Sequence, residues 1–164
     1  FLVEDVVLMG RIAHRDMFSA PGEADRRAAR DAMERVGVAA LRAEPYTGIS
    51  GGERQLVLIA RALAQQSRAI VLDEPTANLD FGHQGEVLRE MRALAAAGLT
   101  VVFTTHDPNH ALRYADDVAA MQDGRIVAQG RAGEVLTRPV LAALYRTDVE
   151  ELLADDGRRA FLPK

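Results

Sequence analysis

The sequence predicts an α/β domain built on a parallel sheet, and three observations carry that reading. Ala69-Ile70-Val71-Leu72 is a continuous apolar run, the pattern of a parallel strand buried on both faces. Thr100 to Thr105 is a second such run, and between the two Glu86 to Ala97 is amphipathic. Strand, helix and strand in that order call for a parallel pair and a right-handed crossover.

The other elements follow in order. Val3 to Met9 reads as a short helix that Gly10 can end, and Arg11 to Gly22 as irregular chain punctuated by Pro21-Gly22. From Glu23 a helix runs to about Val36, with Ala29, Met33 and Val36 inward and Gly37 just past its end; Arg26, Arg27 and Arg30 form a solvated face. Val38 to Gly48 holds at most one further turn, broken by Pro45. The helix from Ser50 to about Gln65 confines Arg54, Arg61 and Gln65 to one stripe, so it should be largely buried. In the helix from Glu86, Val87, Leu88, Met91, Leu94 and Ala95 face inward and Gly98 closes it. His106 to about Arg113 begins another helix. Asp117 to Gln122, Asp123-Gly124 and Arg125 to Gln129 read as a hairpin on a type I′ turn. Gly133 to Arg146 is mostly helical with a break at Pro139, and Val149 to Pro163 suits a second hairpin around Asp155-Asp156-Gly157.

Composition bounds the function. A chain of 164 residues with 48 % hydrophobic residues has material for a sizeable core. Its longest apolar stretches are far short of a membrane span. Nothing at Phe1-Leu2-Val3-Glu4-Asp5 resembles a signal peptide, which makes the cytoplasm the default compartment; the apolar start without Met reads as a chain entered midway. A net charge of −4 gives no general reason to expect nucleic acid. Zero cysteines exclude disulfides, thiolate metal sites and a Cys nucleophile. Of 20 basic residues the only Lys is Lys164, so the chain contains no Walker A loop, G-x-x-x-x-G-K-[ST], whose Lys reaches the β/γ-phosphates.

Three stretches hold residues with chemistry. Ile49-Ser50-Gly51-Gly52-Glu53-Arg54 opens a helix on two glycines, each disfavoured there by about 1 kcal/mol relative to Ala. Bare backbone at a helix N-terminus suits a phosphate; Ser50-x-x-Glu53 is equally a capping box. Asp73-Glu74-Pro75 puts two acids where a buried strand ends, the place ligands take in doubly wound folds. They are either a solvated strand-to-turn junction or a pair in which Asp73 holds Mg²⁺ and Glu74 polarises an attacking water. Thr104-Thr105-His106-Asp107 ends the next strand, where His106 is either a helix-start residue or a neighbour of that pair. His106 and His110 are four residues apart, a spacing that can bind metal, but Pro108 and the missing third ligand weigh against it. His14 and His83 have no evident partners.

In this order the stretches resemble the ATPases of ABC transporters. Ile49-Ser50-Gly51-Gly52-Glu53 resembles their signature motif, with Glu53 where many members carry Gln. Ile70 to Glu74 resembles the Walker B strand with its catalytic glutamate, Asn78-Leu79-Asp80 the D-loop, and His106 the switch histidine. Val3 to Arg11 resembles the stretch just after the Q-loop. The spacing and the run Asp123 to Gly130 are similar to importers of iron–siderophore, haem, cobalamin or molybdate.

The resemblance implies the later part of an ABC-type P-loop domain: a helical subdomain over residues 1–48, the ATPase core over 49–135, and a C-terminal helix and hairpin over 136–164. It implies ATP and Mg²⁺ as cofactors, with Ser50, Gly51, Gly52, Glu53 and Asp80 toward nucleotide, Asp73 toward Mg²⁺, and Glu74 and His106 catalytic. It implies as partners a second ATPase subunit in a head-to-tail dimer and membrane permease subunits, with a substrate-binding protein acting indirectly, at the inner face of the cell membrane. Without a Walker A loop, little hydrolysis is expected of these residues alone, and an uncovered sheet edge is expected. A non-catalytic module lending its signature in trans, and an ABC ATPase outside transport, are the alternatives.

Overall fold

The computed structural model describes residues 1–14 and 20–164, which divide into two compact units, Phe1–Thr104 and Thr105–Lys164.

The first unit opens with α1 (Val3–Leu8), whose Leu2 N–H donates to the Asp5 carboxylate at 2.9 Å. Gly10 does not end the helix as expected. The chain tightens instead into a 3₁₀ turn over Met9–His14, because Gly10 lies directly against the Arg61 carbonyl and has no room for a Cβ. The irregular stretch expected from Arg11 to Gly22 falls partly outside the described residues. Arg11, only 7 % exposed, pairs with Asp25 at 3.1 Å and donates to the Ala64 carbonyl at 2.7 Å, tying this turn to the next two helices.

Helix α2 (Glu23–Arg35) buries Ala29 and Met33, and Gly37 beyond it takes a φ of +74°, as its reading past the helix end implies. Two 3₁₀ turns, Ala39–Leu41 and Tyr46–Gly48, lead to α3 (Gly51–Ala64). That helix packs against α1, α2 and the later α4. It buries Val57, Ile59, Ala60 and Ala64, and its exposed stripe is Arg54, Leu58 and Arg61, continuing to Gln65.

Strand β1 (Ala69–Leu72) and β2 (Thr100–Phe103) pair in parallel, Ala69 beside Thr100 through Leu72 beside Phe103. Burial on both faces does not hold. Ile70 and Leu72 are buried, but Val71 is 74 % and its partner Val102 50 % exposed, since only one face of this pair is covered within the chain. Between the strands α4 (Phe81–Ala96) buries Val87, Leu88, Met91 and Leu94. It begins five residues before the expected start, because the Asp80 carboxylate caps it, accepting from the His83 N–H at 3.0 Å.

The second unit holds α5 (Pro108–Tyr114), β3 (Asp117–Gln122), β4 (Arg125–Arg131), α6 (Ala132–Val135), α7 (Arg138–Tyr145), β5 (Val149–Leu153) and β6 (Arg159–Pro163). The β3–β4 turn has positive φ at both Asp123 and Gly124, the type I′ geometry that Asp-Gly favours. Pro139 does not break a helix; it sits in the first turn of α7, where a missing N–H costs nothing. The antiparallel β5–β6 hairpin forms as its turn residues imply. Ala132, Leu136, Leu141, Val149 and Phe161 make this unit's core. Among the described residues no helix is long and apolar enough to cross a membrane.

Candidate functional site

The N-terminus of α3 is built by local rules. Ser50 adopts extended backbone as N-cap; its hydroxyl accepts from the Glu53 N–H at 3.2 Å, and its own N–H donates to the Glu53 carboxylate at 2.7 Å. Bonded through both the Ser50 side chain and backbone N–H, the Glu53 carboxyl is held below its ordinary range. The first N–H groups of a helix have no intrahelical acceptor, so those of Gly51 and Gly52 lie at the positive end of a dipole, with Gly51 partly exposed and Gly52 buried. The capping box leaves these first backbone N–H groups without an intrahelical partner.

The two glycines differ in their surroundings. A Cβ on Gly51 would meet Leu79 Cδ2 at an ordinary 3.5 Å. One on Gly52 would overlap the His83 ring. Leu79 and His83 thus stand against the start of α3, and the structure brings together the signature-like and D-loop-like stretches. His83, without an evident partner in sequence, bonds Asp80 through Nδ1 to Oδ2 at 2.6 Å. This hydrogen bond and the Asp80 charge raise the imidazole's pKa, whereas the His83 backbone N–H and then its ring lower that of Asp80.

Asp73 and Glu74 are exposed at the end of β1. Thr104, immediately past β2, joins them: its Oγ1 donates to Asp73 Oδ1 at 2.6 Å and accepts from the Glu74 N–H at 2.9 Å. The sequence offered no role for Thr104, although its place after the neighbouring parallel strand was a signal. Glu74 has a φ of +43°, a left-handed conformation costing about 1 kcal/mol or more in a non-glycine residue. Thr104→Val should lower stability by about 0.5–1.5 kcal/mol, one modest hydrogen-bond contribution, read as a shifted urea midpoint at unchanged slope.

His106 belongs to the second unit and is exposed there. Its carbonyl accepts from the Tyr145 hydroxyl at 2.9 Å, while Asp107 caps α5 through the Asn109 N–H at 2.8 Å and lies 3.5 Å from His110. The Asn109 side chain makes reciprocal bonds to the Phe161 backbone, 2.8 and 3.0 Å, so the segment after His106 is fastened to the C-terminal hairpin.

The family model described as ABC transporter matches residues 2–77. A hemin import ATP-binding protein HmuV of Streptomyces coelicolor is 44 % identical over 150 residues, covering 92 % of this chain and 53 % of that protein. The iron(3+)-hydroxamate import ATP-binding protein FhuC of Bacillus subtilis is 38 % identical over 149 residues, covering 90 % and 55 %. The chain thus spans about half the length of these curated relatives. Among solved structures, a chain described as part of an inward-facing, metal-chelate type ABC transporter superposes with a TM-score of 0.95 over the whole of this one. It is 36 % identical and 67 % covered, so the α/β fold of these ATPases is present here, and the chain belongs to the ABC-transporter family of ATP-binding proteins.

Proposed function

We propose that these residues form the signature-to-switch portion of the ATPase subunit of an importer for a metal chelate. The observation that carries the reading is the start of α3: a capped helix end opening on two glycines, against which stand Leu79 of the D-loop-like stretch and His83, itself bonded to Asp80. Such an end suits the terminal phosphate of a nucleotide. The metal-chelate cargo class is supported by the relatives' hemin and iron-hydroxamate imports.

The residues present fit ATP and Mg²⁺. Asp73 is an exposed carboxylate anchored on one oxygen, the hard donor that Mg²⁺ takes one or two of beside phosphates and water. ATP supplies the phosphoanhydride bond whose cleavage powers transport. Ser50 and the Gly51 and Gly52 N–H groups hold the γ-phosphate of a nucleotide carried by a partner subunit. Glu53 keeps Ser50 capped, Asp80 reaches across the head-to-tail dimer, and His106 contacts the γ-phosphate. Glu74 takes a proton from water, and its left-handed backbone is held by the bond from its N–H to Thr104. Residues 1–48 face the permease subunits, 49–135 carry the ATPase core and 136–164 form the appended helix and hairpin. The subunit is peripheral on the inner face of the membrane.

None of the 164 residues supplies a Walker A lysine, and that favours a second reading in which the signature serves a partner's ATP without hydrolysis by this chain. One experiment addresses both. The purified chain should release no phosphate from ATP above background. Mixed with a complete ATPase subunit of this family, it should raise that subunit's turnover, and Ser50→Ala should remove the gain. Robust turnover by the chain alone, lost on Glu74→Gln, would overturn the expectation.

A further inference from the structure

His83 touches two segments at once. Its ring fills the space where a Gly52 side chain would stand, and its Nδ1 bonds Asp80 at 2.6 Å. Its backbone N–H meanwhile donates to the other Asp80 oxygen at 3.0 Å. The Asp80 carboxylate therefore grips one residue through two atoms, and that residue is the wall against which the second glycine of α3 rests.

We propose that His83 is a positioning residue, holding the Gly52 end of α3 in register with the D-loop Asp80. The proposal rests on the functional reading above only for its consequence: a fixed register keeps the α3 N–H groups aimed at one phosphate position. The contact itself is a property of this chain.

Gly52 is glycine for a reason separate from phosphate access. Its bare Cα admits an imidazole, and the imidazole reports on Asp80. The charged groups facing His83 are Asp80 and Glu86 on its own segment and Glu53 from α3, all acidic. They favour the imidazolium, partial burial opposes it, and the balance raises the pKa above the ordinary 6.5. The sign follows. The His83 contribution is fully present below pH 6.5 and is lost as pH rises through the raised value. The Asp80 contribution is present above its ordinary 3.8 and is lost as pH falls through its lowered value. The clasp is tightest between these limits, where a charged donor meets a charged acceptor.

The test is a pH titration of the isotope-labelled 164-residue chain by NMR, following the His83 ring and the Gly52 amide. His83 should titrate above 6.5, and the Gly52 amide should shift with the same midpoint. Asp80→Asn and Gly52→Ala should each lower that midpoint, the first by removing the charge and the second by displacing the ring. A Gly52 amide indifferent to the His83 titration, or an unchanged midpoint in Gly52→Ala, overturns the proposal. In the mixture with a complete subunit, stimulation should fall roughly fivefold as His83 loses its proton, the gap between charged and neutral hydrogen bonds. His83→Gln, which can bond Asp80 but does not titrate, should flatten that profile; a profile unchanged in His83→Gln counts against the proposal. If Ser50→Ala leaves stimulation intact while the Gly52 amide still follows His83, the functional reading fails and the positioning role stands.

Discussion

Gly51→Asp should abolish stimulation of a complete partner subunit while leaving this chain as stable as before, or slightly more so. The separation follows from what surrounds Gly51. A Cβ there meets only Leu79 Cδ2, at 3.5 Å, so a side chain fits without moving the helix. A carboxylate in the first turn of α3 also suits the dipole, which is worth about 0.3–1 kcal/mol at an exposed site. The same carboxylate stands before the N–H groups that the proposal assigns to a γ-phosphate, and like charges repel there. Removing a single preorganised donor of this kind typically lowers a rate by about two to three orders of magnitude. Stimulated phosphate release should thus fall to background, with thermal unfolding by circular dichroism unchanged or a degree or two higher. A destabilised variant, or one that still stimulates, would count against an anion site at Gly51.

Gly10→Ala should produce the opposite pattern, a large loss of stability far from any proposed chemistry. The added Cβ would overlap the Arg61 carbonyl oxygen and sit 3.3 Å from the Ala64 Cβ. Backbone cannot swing aside as a side chain can, so the 3₁₀ turn and α3 must separate. That separation also strains the neighbouring Arg11, whose guanidinium bonds the Ala64 carbonyl at 2.7 Å and pairs with Asp25. Overpacking at such a contact costs about 3 kcal/mol. For a chain of this size that corresponds to a melting point lower by roughly 6–12 °C. Gly48→Ala is the control. Its nearest neighbour would be Pro45 Cβ at 3.9 Å, and its stability should stay within about 0.5 kcal/mol of the parent.

These two glycines show where sequence reasoning succeeds and where it stops. The strands at 69–72 and 100–103, the Ser50 capping box and the Asp-Gly hairpin are written in residues a few positions apart, and all form. The second strand nevertheless stops two residues short of the expected Thr105, and neither strand is buried on both faces. Gly10 looked like a helix stop because its actual neighbour, Arg61, lies 51 positions away. His83 and Gly52 are likewise 31 apart, and Thr104 meets Asp73 across the same separation. No local pattern announces such pairs, since the fold that creates them must form first. The early start of α4 was hidden for a different reason. Gly82 and Gly85 depress helix propensity there, and the Asp80 cap offsets them. The one-sided burial of β1 could not be read from composition, because Val71 is as apolar as its buried neighbours Ile70 and Leu72.

The left-handed backbone at Glu74 has a consequence for how such a chain would change over generations. Asn tolerates that conformation more readily than Glu, so a Glu74→Asn change removes local tension while it removes the carboxylate. Under the role proposed for Glu74, selection for persistence and selection for hydrolysis pull in opposite directions at this position. A lineage that stopped needing the reaction would have a ready path away from glutamate, and one that kept glutamate would do so against the preference of its own backbone.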